Sequence, residues 1–198
     1  IITTDVGIRN LRWVSNGTRH ILESGSWATL SKINSAVAQT SLEVEQLMAS
    51  VLIPNDGTKS ILQNGDMIRV TEVMEKTGTT DKMDKGWRIG NDNAVTDSNI
   101  KTWDSTTVTN DVIAHQTHFE RIAATTLRVI GAQAFASLPG TSAANPQADV
   151  TMTDNMDTCS GGGVYFSTTG FLIKSGGSLV DSALSLKTWV VEINTCGA

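Results

Sequence analysis

The chain has 198 residues and a mass of 21.1 kDa, with a net charge of -5 and a pI near 5.1. This length suits one domain with an appendage. The acidic balance argues against binding to a phosphate backbone, which needs clustered Lys and Arg, so we expect no nucleic-acid partner. No apolar stretch reaches the roughly 18 residues that span a bilayer, and the start Ile1–Asp5 does not resemble a signal peptide, so we expect no membrane insertion.

Residues 1–25 are predicted to form an N-terminal β-hairpin segment. Two short runs that contain apolar residues flank Asn16-Gly17, a pair that favours a type I′ turn because both positions tolerate positive φ. Asn16-Gly17-Thr18 also fits the N-glycosylation pattern, which matters only if the chain passes through a eukaryotic secretory route. The turn is the interpretation that we favour.

Residues 26–53 are predicted to form a long α-helix near residues 28–52. There is no Gly or Pro from Ala28 to Leu52, Ser26 is a suitable N-cap, and Pro54 follows where a helix should stop. Aliphatic residues recur at alternating spacings of three and four, with polar Thr40 at one position, and this register is typical of a coiled coil. The predicted oligomerisation residues are Leu30, Ile33, Val37, Val44, Leu47 and Val51. An amphipathic helix packed on the chain's own sheet is the open alternative.

Residues 54–198 are predicted to form a β-rich domain. Asn64-Gly65 indicates a second hairpin, and Trp189, Val191 and Ile193 alternate with polar residues as in a half-buried strand. Residues 116–136 fit either a helix or a strand, and Gly131 favours a strand near 125–136. Two further strands are expected near 164–167 and 171–174.

The segment 75–111 is predicted to be a long polar arm. It is dominated by Thr, Asp, Asn, Lys and Gly, and loops of this length inside a compact domain are usually functional. Trp87 and Trp103 lie within it, and we expect these two large rings to anchor the arm or to contact another subunit. The predicted fold class is therefore mainly β, with antiparallel sheets in a sandwich or barrel and one long helix, an α+β arrangement.

Cys159 and Cys196 are the two cysteines, and they are placed near both ends of the C-terminal β region. A disulfide between them would close a loop of about 38 residues and contribute about 4 kcal/mol in the chain-entropy model. Such a bridge would imply an oxidising compartment. Two buried free thiols in a protein that assembles in the cytosol remain the alternative.

No convincing catalytic set is present in the sequence. Asp157–Gly162 resembles the Gly-Asp-Ser-Gly-Gly turn around the nucleophile of trypsin-like serine proteases, which would make Ser160 the nucleophile. However, Cys159 occupies the position of that family's Asp, and His20 and His115 lack the expected context and spacing. We therefore expect no enzyme activity, and a protease least of all.

Metal and cofactor sites are also not expected. His115 and His118 could share one face of a helix, but they would point to opposite faces of a strand. A group of Asp and Asn side chains between residues 92 and 99 lacks the spacing of a calcium loop and is explained by turns. No Gly-rich phosphate loop is present.

The sequence is most typical of a structural subunit that binds copies of itself and other structural subunits. A virion component, such as a phage tail, fibre or capsid-associated protein, is the favoured class, and its location would be a virion or an extracellular assembly. The alternatives are a secreted surface-filament subunit and a carbohydrate- or receptor-binding module, whose partner would be a host receptor or glycan. These classes rest on analogy rather than on a motif.

Overall fold

The computed structural model describes residues 13–15, 20–22, 27–33, 37–38, 43–78, 81–104, 111–134, 149–173 and 183–194. Within these residues the secondary structure consists of β-strands and one 3₁₀ turn at Ser160–Gly162. The strands are β1 (Trp13–Ser15), β2 (His20–Leu22), β3 (Ala28–Ile33), β4 (Val37–Ala38), β5 (Gln46–Pro54), β6 (Met67–Thr77), β7 (Lys82–Gly90), β8 (Ser98–Asp104), β9 (Asp111–Ala123), β10 (Thr126–Ala134), β11 (Asp149–Thr151), β12 (Gly163–Ile173) and β13 (Ala183–Asn194).

The strands form two large antiparallel sheets and one small hairpin. The larger sheet has the order β11-β10-β9-β6-β13-β3, with β4 also paired to β13, and the smaller sheet has the order β5-β12-β7-β8. The sheets pack face to face, since Phe119 of β9 meets Phe166 of β12 with ring centroids 5.5 Å apart. The fold is therefore a β-sandwich with one hydrophobic core between its layers.

Strict alternation of side chains explains why the long strands form these sheets. Along β6, buried and partly exposed residues alternate from Met67 to Lys76. Along β13 the buried positions change phase between Leu186 and Trp189, where a register shift against β6 inserts one extra residue. Every second side chain of β6 and of β13, on each side of this extra residue, therefore points into the interior of the sandwich.

The predicted α-helix near residues 28–52 is wrong, and with it the predicted coiled coil and α+β class. This region contains β3, β4 and β5. Spacings of three and four between aliphatic residues arise here from separate short strands rather than from one helical face. Helix propensity does not decide the question, because the segment holds as many Ala, Leu and Glu residues as Ser, Thr, Val and Ile residues, and tertiary pairing in the sheets therefore determines its structure.

The predicted β-rich character of the remainder is confirmed. β1 and β2 pair antiparallel, while Asn16-Gly17 lies outside the described residues. Asn64-Gly65 forms a turn in which Gly65 has a φ of 88°, but the hairpin predicted there is wrong, because no strand directly precedes this turn in the described segment 43–78 and β6 pairs with β13 and β9. β10 and β13 cover the strands predicted near 125–136 and 189–193, while the two strands predicted near 164–174 form one continuous strand, β12. The segment 75–111, predicted as an arm, contains β7 and β8, and β7 is an inner strand of the smaller sheet.

Buried Arg121 connects two loops at one end of the sandwich through hydrogen bonds. Its guanidinium donates to the carbonyl oxygen of Leu62 and to both carboxylate oxygens of Asp157, at 3.0 and 2.6 Å. Asp157 in turn accepts a hydrogen bond of 2.7 Å from the backbone N–H of Ser60. These charge-assisted bonds hold two loops that are distant in sequence.

Substituting Gly163→Ala is expected to destabilise the fold by about 2 kcal/mol or more. Gly163 has a φ of 151°, and a Cβ there would collide with the backbone carbonyl oxygen of Ile53 on β5. Gly131→Ala is the matched control, because it adds a methyl group to β10 where no atom lies within 4 Å. Urea unfolding measures both variants, and equal midpoints would contradict the close contact between β5 and β12.

Candidate functional site

Five buried polar or aromatic residues meet between the two sheets, and we call them the inter-sheet cluster: Glu72, Lys85, Trp87, His115 and Thr168. The strand register places each one. On the larger sheet Glu72 of β6 lies directly opposite His115 of β9, and on the smaller sheet Trp87 of β7 lies opposite Thr168 of β12. Lys85 is two residues before Trp87 and therefore points into the same interior.

The carboxylate of Glu72 is the centre of the cluster. The Nζ of Lys85 lies 2.6 Å from Oε1 of Glu72, and both side chains are fully buried. The other oxygen, Oε2, accepts hydrogen bonds of 2.9 Å from Nε1 of Trp87 and from Oγ1 of Thr168.

His115 also contacts the amine of Lys85, with its Nε2 2.9 Å from Nζ. Because an ammonium group has only N–H donors, Nε2 acts as the acceptor, and the proton of the neutral ring is then on Nδ1. The imidazole also stacks on Trp87, with ring centroids 4.9 Å apart and planes inclined by 19°. The lysine is thus held between a carboxylate and an imidazole.

Aromatic rings close the cluster off from water. The Nζ of Lys85 lies 4.1 Å from the ring centroid of Trp87, a cation–π distance. Phe119 contacts Trp87 edge to face at 5.2 Å, and Phe166 lies 6.4 Å from Trp87 on the smaller sheet. Electrostatic interactions inside this apolar shell are stronger than they would be in water.

Burial perturbs both basic groups of the cluster. It lowers the pKa of Lys85 to about 8, although the charge and hydrogen bond of Glu72 act in the opposite direction. Burial also lowers the pKa of His115 to about 2, and the positive charge of Lys85 lowers it further in the same direction. At neutral pH the imidazole is therefore neutral, and its protonation is disfavoured.

The cluster combines an amine, a carboxylate with two donors on one oxygen, and a neutral imidazole. Such a set can move protons among its own members and can polarise the carboxyl group. No external substrate reaches these atoms in the structure, because Glu72, Trp87 and Thr168 each have 0% of their surface exposed. The chemistry that this geometry supports is confined to the chain itself.

A second polar grouping lies on the outer face of the smaller sheet, in a pocket of about 80 Å³. We call it the outer pocket. Arg88 donates to both oxygens of Glu45, at 2.8 and 2.6 Å, and Thr169 donates to Oε1 of Glu45 at 2.6 Å. The remaining lining residues are Asp84, Lys85, Gly86 and Phe171, so the pocket offers polar groups beside one aromatic side chain.

The residues predicted for oligomerisation lie on one side of the sandwich. Leu30 and Ile33 are on β3, Val37 is on β4, and Leu47 and Val51 are on β5. β13 contacts β3, β4 and β5, so the last strands of both sheets meet at this side, which we call the open edge. Val44 lies just before β5 and is 56% exposed. The predicted helix is absent, but the structure brings these residues to a common edge.

The structure describes the side chain of Trp87, but it does not describe the side chain of Trp103 or the second cysteine of the predicted disulfide. Trp87 is fully buried in the core, so it cannot contact another subunit as predicted. The side chain of Trp103 and the whole of Cys196 lie outside the described residues. Cys159 is a free thiol that accepts a 3.3 Å hydrogen bond from Nδ2 of Asn55, and its bridge to Cys196 stays a prediction.

The other sequence-predicted features do not assemble into a catalytic or metal site. Ser160 contacts Asn91 at 3.5 Å, whereas His115 lies in the core beside Lys85. His118 is on the outer face of β9 against Trp27, at a centroid distance of 5.6 Å, so the two histidines point in opposite directions as a strand requires. Among the described residues, no group of His, Cys, Asp and Glu has an arrangement suited to holding a metal.

Comparison of the sequence with protein-family models gives no match, and a search of curated proteins gives none either. In the part of the chain that the structure describes, no helix has the length and hydropathy needed to cross a membrane. The inferences about function below therefore rest on the geometry of this chain.

Replacing His115 by Gln is expected to flatten the pH dependence of stability between pH 6.5 and about pH 5. The pKa of His115 is about 2 in the folded protein against an ordinary 6.5, so in this range the unfolded chain binds a proton that the folded chain does not. The wild-type protein therefore loses stability as the pH falls, by up to about 1.4 kcal/mol per pH unit. Urea titrations at several pH values measure this slope.

His118→Gln is the matched control, because His118 lies on the outer face of the same strand and is only partly buried. This variant should keep most of the wild-type slope. Equal slopes in the wild-type protein and in His115→Gln would contradict the burial of a neutral imidazole in the cluster.

Proposed function

We propose that this protein is a non-enzymatic structural subunit that self-assembles into a larger particle, a virion component such as a phage tail, fibre or capsid-associated protein. The observation that carries the proposal is the open edge, where the end strands of both sheets present aliphatic side chains at one side of the sandwich. The alternative structural role is that of a subunit of a secreted surface filament.

Backbone chemistry makes this edge a natural contact surface. Among the described strands, β5 has a single hydrogen-bonded neighbour, β12, so half of its backbone N–H and C=O groups face away from the sheet. Its nine residues, Gln46–Pro54, include no charged side chain. Monomeric proteins commonly protect long edge strands with charged residues, and an uncharged edge of this length favours pairing with another chain.

Side-chain exposure at the open edge supports the same proposal. Val44 is exposed, while Leu47 and Val51 are only partly buried although they flank the core. Covering these groups with the same edge of a second copy would remove apolar surface from water, at roughly 25 cal/mol per Å². A twofold contact of this kind extends both sheets and buries the aliphatic side chains together.

The sealed interior favours an architectural role over an enzymatic one. The groups with perturbed pKa values, Lys85 and His115, lie between the sheets rather than in a cleft. Antiparallel two-layer β folds are common among capsid and surface proteins, and that likeness is an analogy of architecture. Within the structural class, a virion component is preferred on this analogy of composition and architecture.

A carbohydrate- or receptor-binding module is the second candidate, and the outer pocket is the observation that favours it. Phe171 offers an aromatic face beside Asp84 and the Arg88–Glu45 pair, a combination that suits a sugar ring with its hydroxyl groups. The pocket of about 80 Å³ is small for such a ligand, so assembly through the open edge remains the favoured function.

Substituting Val44→Asp together with Leu47→Lys is expected to weaken self-association at least tenfold, equivalent to about 1.4 kcal/mol or more. The charges would have to be buried in the contact, whereas in the isolated subunit they remain close to water. Light scattering after gel filtration measures the mass in solution, electron microscopy shows the particle, and circular dichroism verifies that the variant is folded.

Ile130→Asp is the matched control, since Ile130 is an exposed aliphatic residue on β10, at 38% exposure, near the other side of the sandwich. It should assemble as the wild-type protein does. A wild-type protein that stays monomeric at all accessible concentrations would contradict the proposal. Binding of that monomer to a glycan, lost in Arg88→Ala, would instead favour the module.

A further inference from the structure

We propose that Lys85 and Glu72 condense to form an intramolecular amide bond, from Nζ of Lys85 to Cδ of Glu72, which covalently ties the two sheets of the sandwich together. β6 belongs to the larger sheet and β7 to the smaller one, so this bond would cross the core between the layers. The inference concerns the interior of one subunit and is independent of whether copies assemble.

The first argument is the approach of the nucleophile to the carboxyl group. The amine nitrogen of Lys85 lies 2.6 Å from Oε1 of Glu72, which places it beside the carboxyl group whose carbon it would attack. Both side chains have no exposed surface, so burial confines the amine and the carboxyl group together and keeps water from competing for either one.

The second argument is the asymmetry of the carboxyl group. Trp87 and Thr168 both donate to Oε2, at 2.9 Å each, while Oε1 faces the amine. Two donors on one oxygen stabilise the negative charge that develops there when a nucleophile adds to the carbon, as in an oxyanion hole. Oε1 is then the oxygen that leaves.

The third argument is the position of a hydrogen-bond acceptor beside the amine. Nε2 of His115 lies 2.9 Å from the amine of Lys85, and His115 is directly opposite Glu72 in the pairing of β9 with β6. Burial lowers the pKa of Lys85 to about 8, which raises the fraction of the neutral, nucleophilic amine. Burial also keeps the imidazole neutral, so its Nε2 can accept a hydrogen bond from the amine and orient it beside the carboxyl group.

The reaction balances without a further reactant. The ammonium of Lys85 passes one proton to Oε1 of Glu72, and the lone pair of the neutral amine then forms the new N–C bond. A second proton passes from the nitrogen to Oε1. The bond from Cδ to Oε1 breaks, and Oε1 leaves with both protons as one water molecule. The product is a neutral amide that keeps one hydrogen on nitrogen, and no group is oxidised or reduced.

The environment favours the product over the ion pair. Two charges in an apolar interior carry a large desolvation cost, and an amide removes both of them. Its carbonyl oxygen would keep the hydrogen bonds from Trp87 and Thr168. Phe119 and Phe166 limit the return of water, so hydrolysis would be slow.

The test is the intact mass of the purified, fully denatured wild-type protein beside that of Lys85→Arg. We expect the wild-type mass to be lower by one water than the mass calculated from its sequence, and Lys85→Arg to have its full calculated mass. Protease digestion should release one branched peptide that joins the segment containing Glu72 to the segment containing Lys85.

Lys187→Arg is the control, because Lys187 forms a surface ion pair with Glu75 at 2.9 Å and should leave the missing water unchanged. A wild-type protein at its full calculated mass, with separate peptides for Glu72 and Lys85, would overturn the proposal. A missing water that persists in Lys85→Arg would overturn it as well. If Lys85→Arg does not fold, the wild-type mass and peptide map alone decide the question.

Discussion

The pairing of Glu72 with Lys85 in the dry interior is the constraint on which the rest of the sandwich depends. Each charge alone would cost several kcal/mol in this environment, so the fold must bring them together. The pair therefore couples the registers of the two sheets. In the larger sheet His115 of β9 lies opposite Glu72 of β6, and in the smaller sheet Thr168 of β12 lies opposite Trp87 of β7. A slip of one residue in any of these strands would leave a buried charge without its partner.

Local patterns in the sequence predict much of the β structure and none of this cluster. The alternation around Trp189 and the Asn64-Gly65 turn depend on neighbouring residues, and both correspond to an observed strand and an observed turn. Residues 28–52 mislead because β4 has only two residues and the apolar runs of β5 do not alternate with polar residues, which leaves only the summed spacing of the aliphatic residues. Glu72 and Thr168 are 96 residues apart, and no local pattern reports a contact of that range. The sequence does contain one signal of the cluster: Glu72 and Lys85 are charged residues at inward-facing positions of β6 and β7.

The molecule separates its reactive groups from its contact surfaces. The amine, carboxylate and imidazole with unusual surroundings lie between the sheets, where they act on one another. The aliphatic residues at the open edge lie where the sheets end, where they can meet another chain. This division suits a subunit whose task is mechanical, because a charged or covalent tie across the core resists separation of the layers while the edges remain free to associate.

The most direct test of the central constraint is a double-mutant cycle on the free energy of unfolding, with Glu72→Leu and Lys85→Met. Each single substitution leaves one buried group without its partner, and we predict a loss of about 3 to 5 kcal/mol for each. The double variant replaces both groups by apolar side chains of similar size, and we predict that it is more stable than either single variant. Losses that simply add in the double variant would contradict the dependence of the fold on this pair.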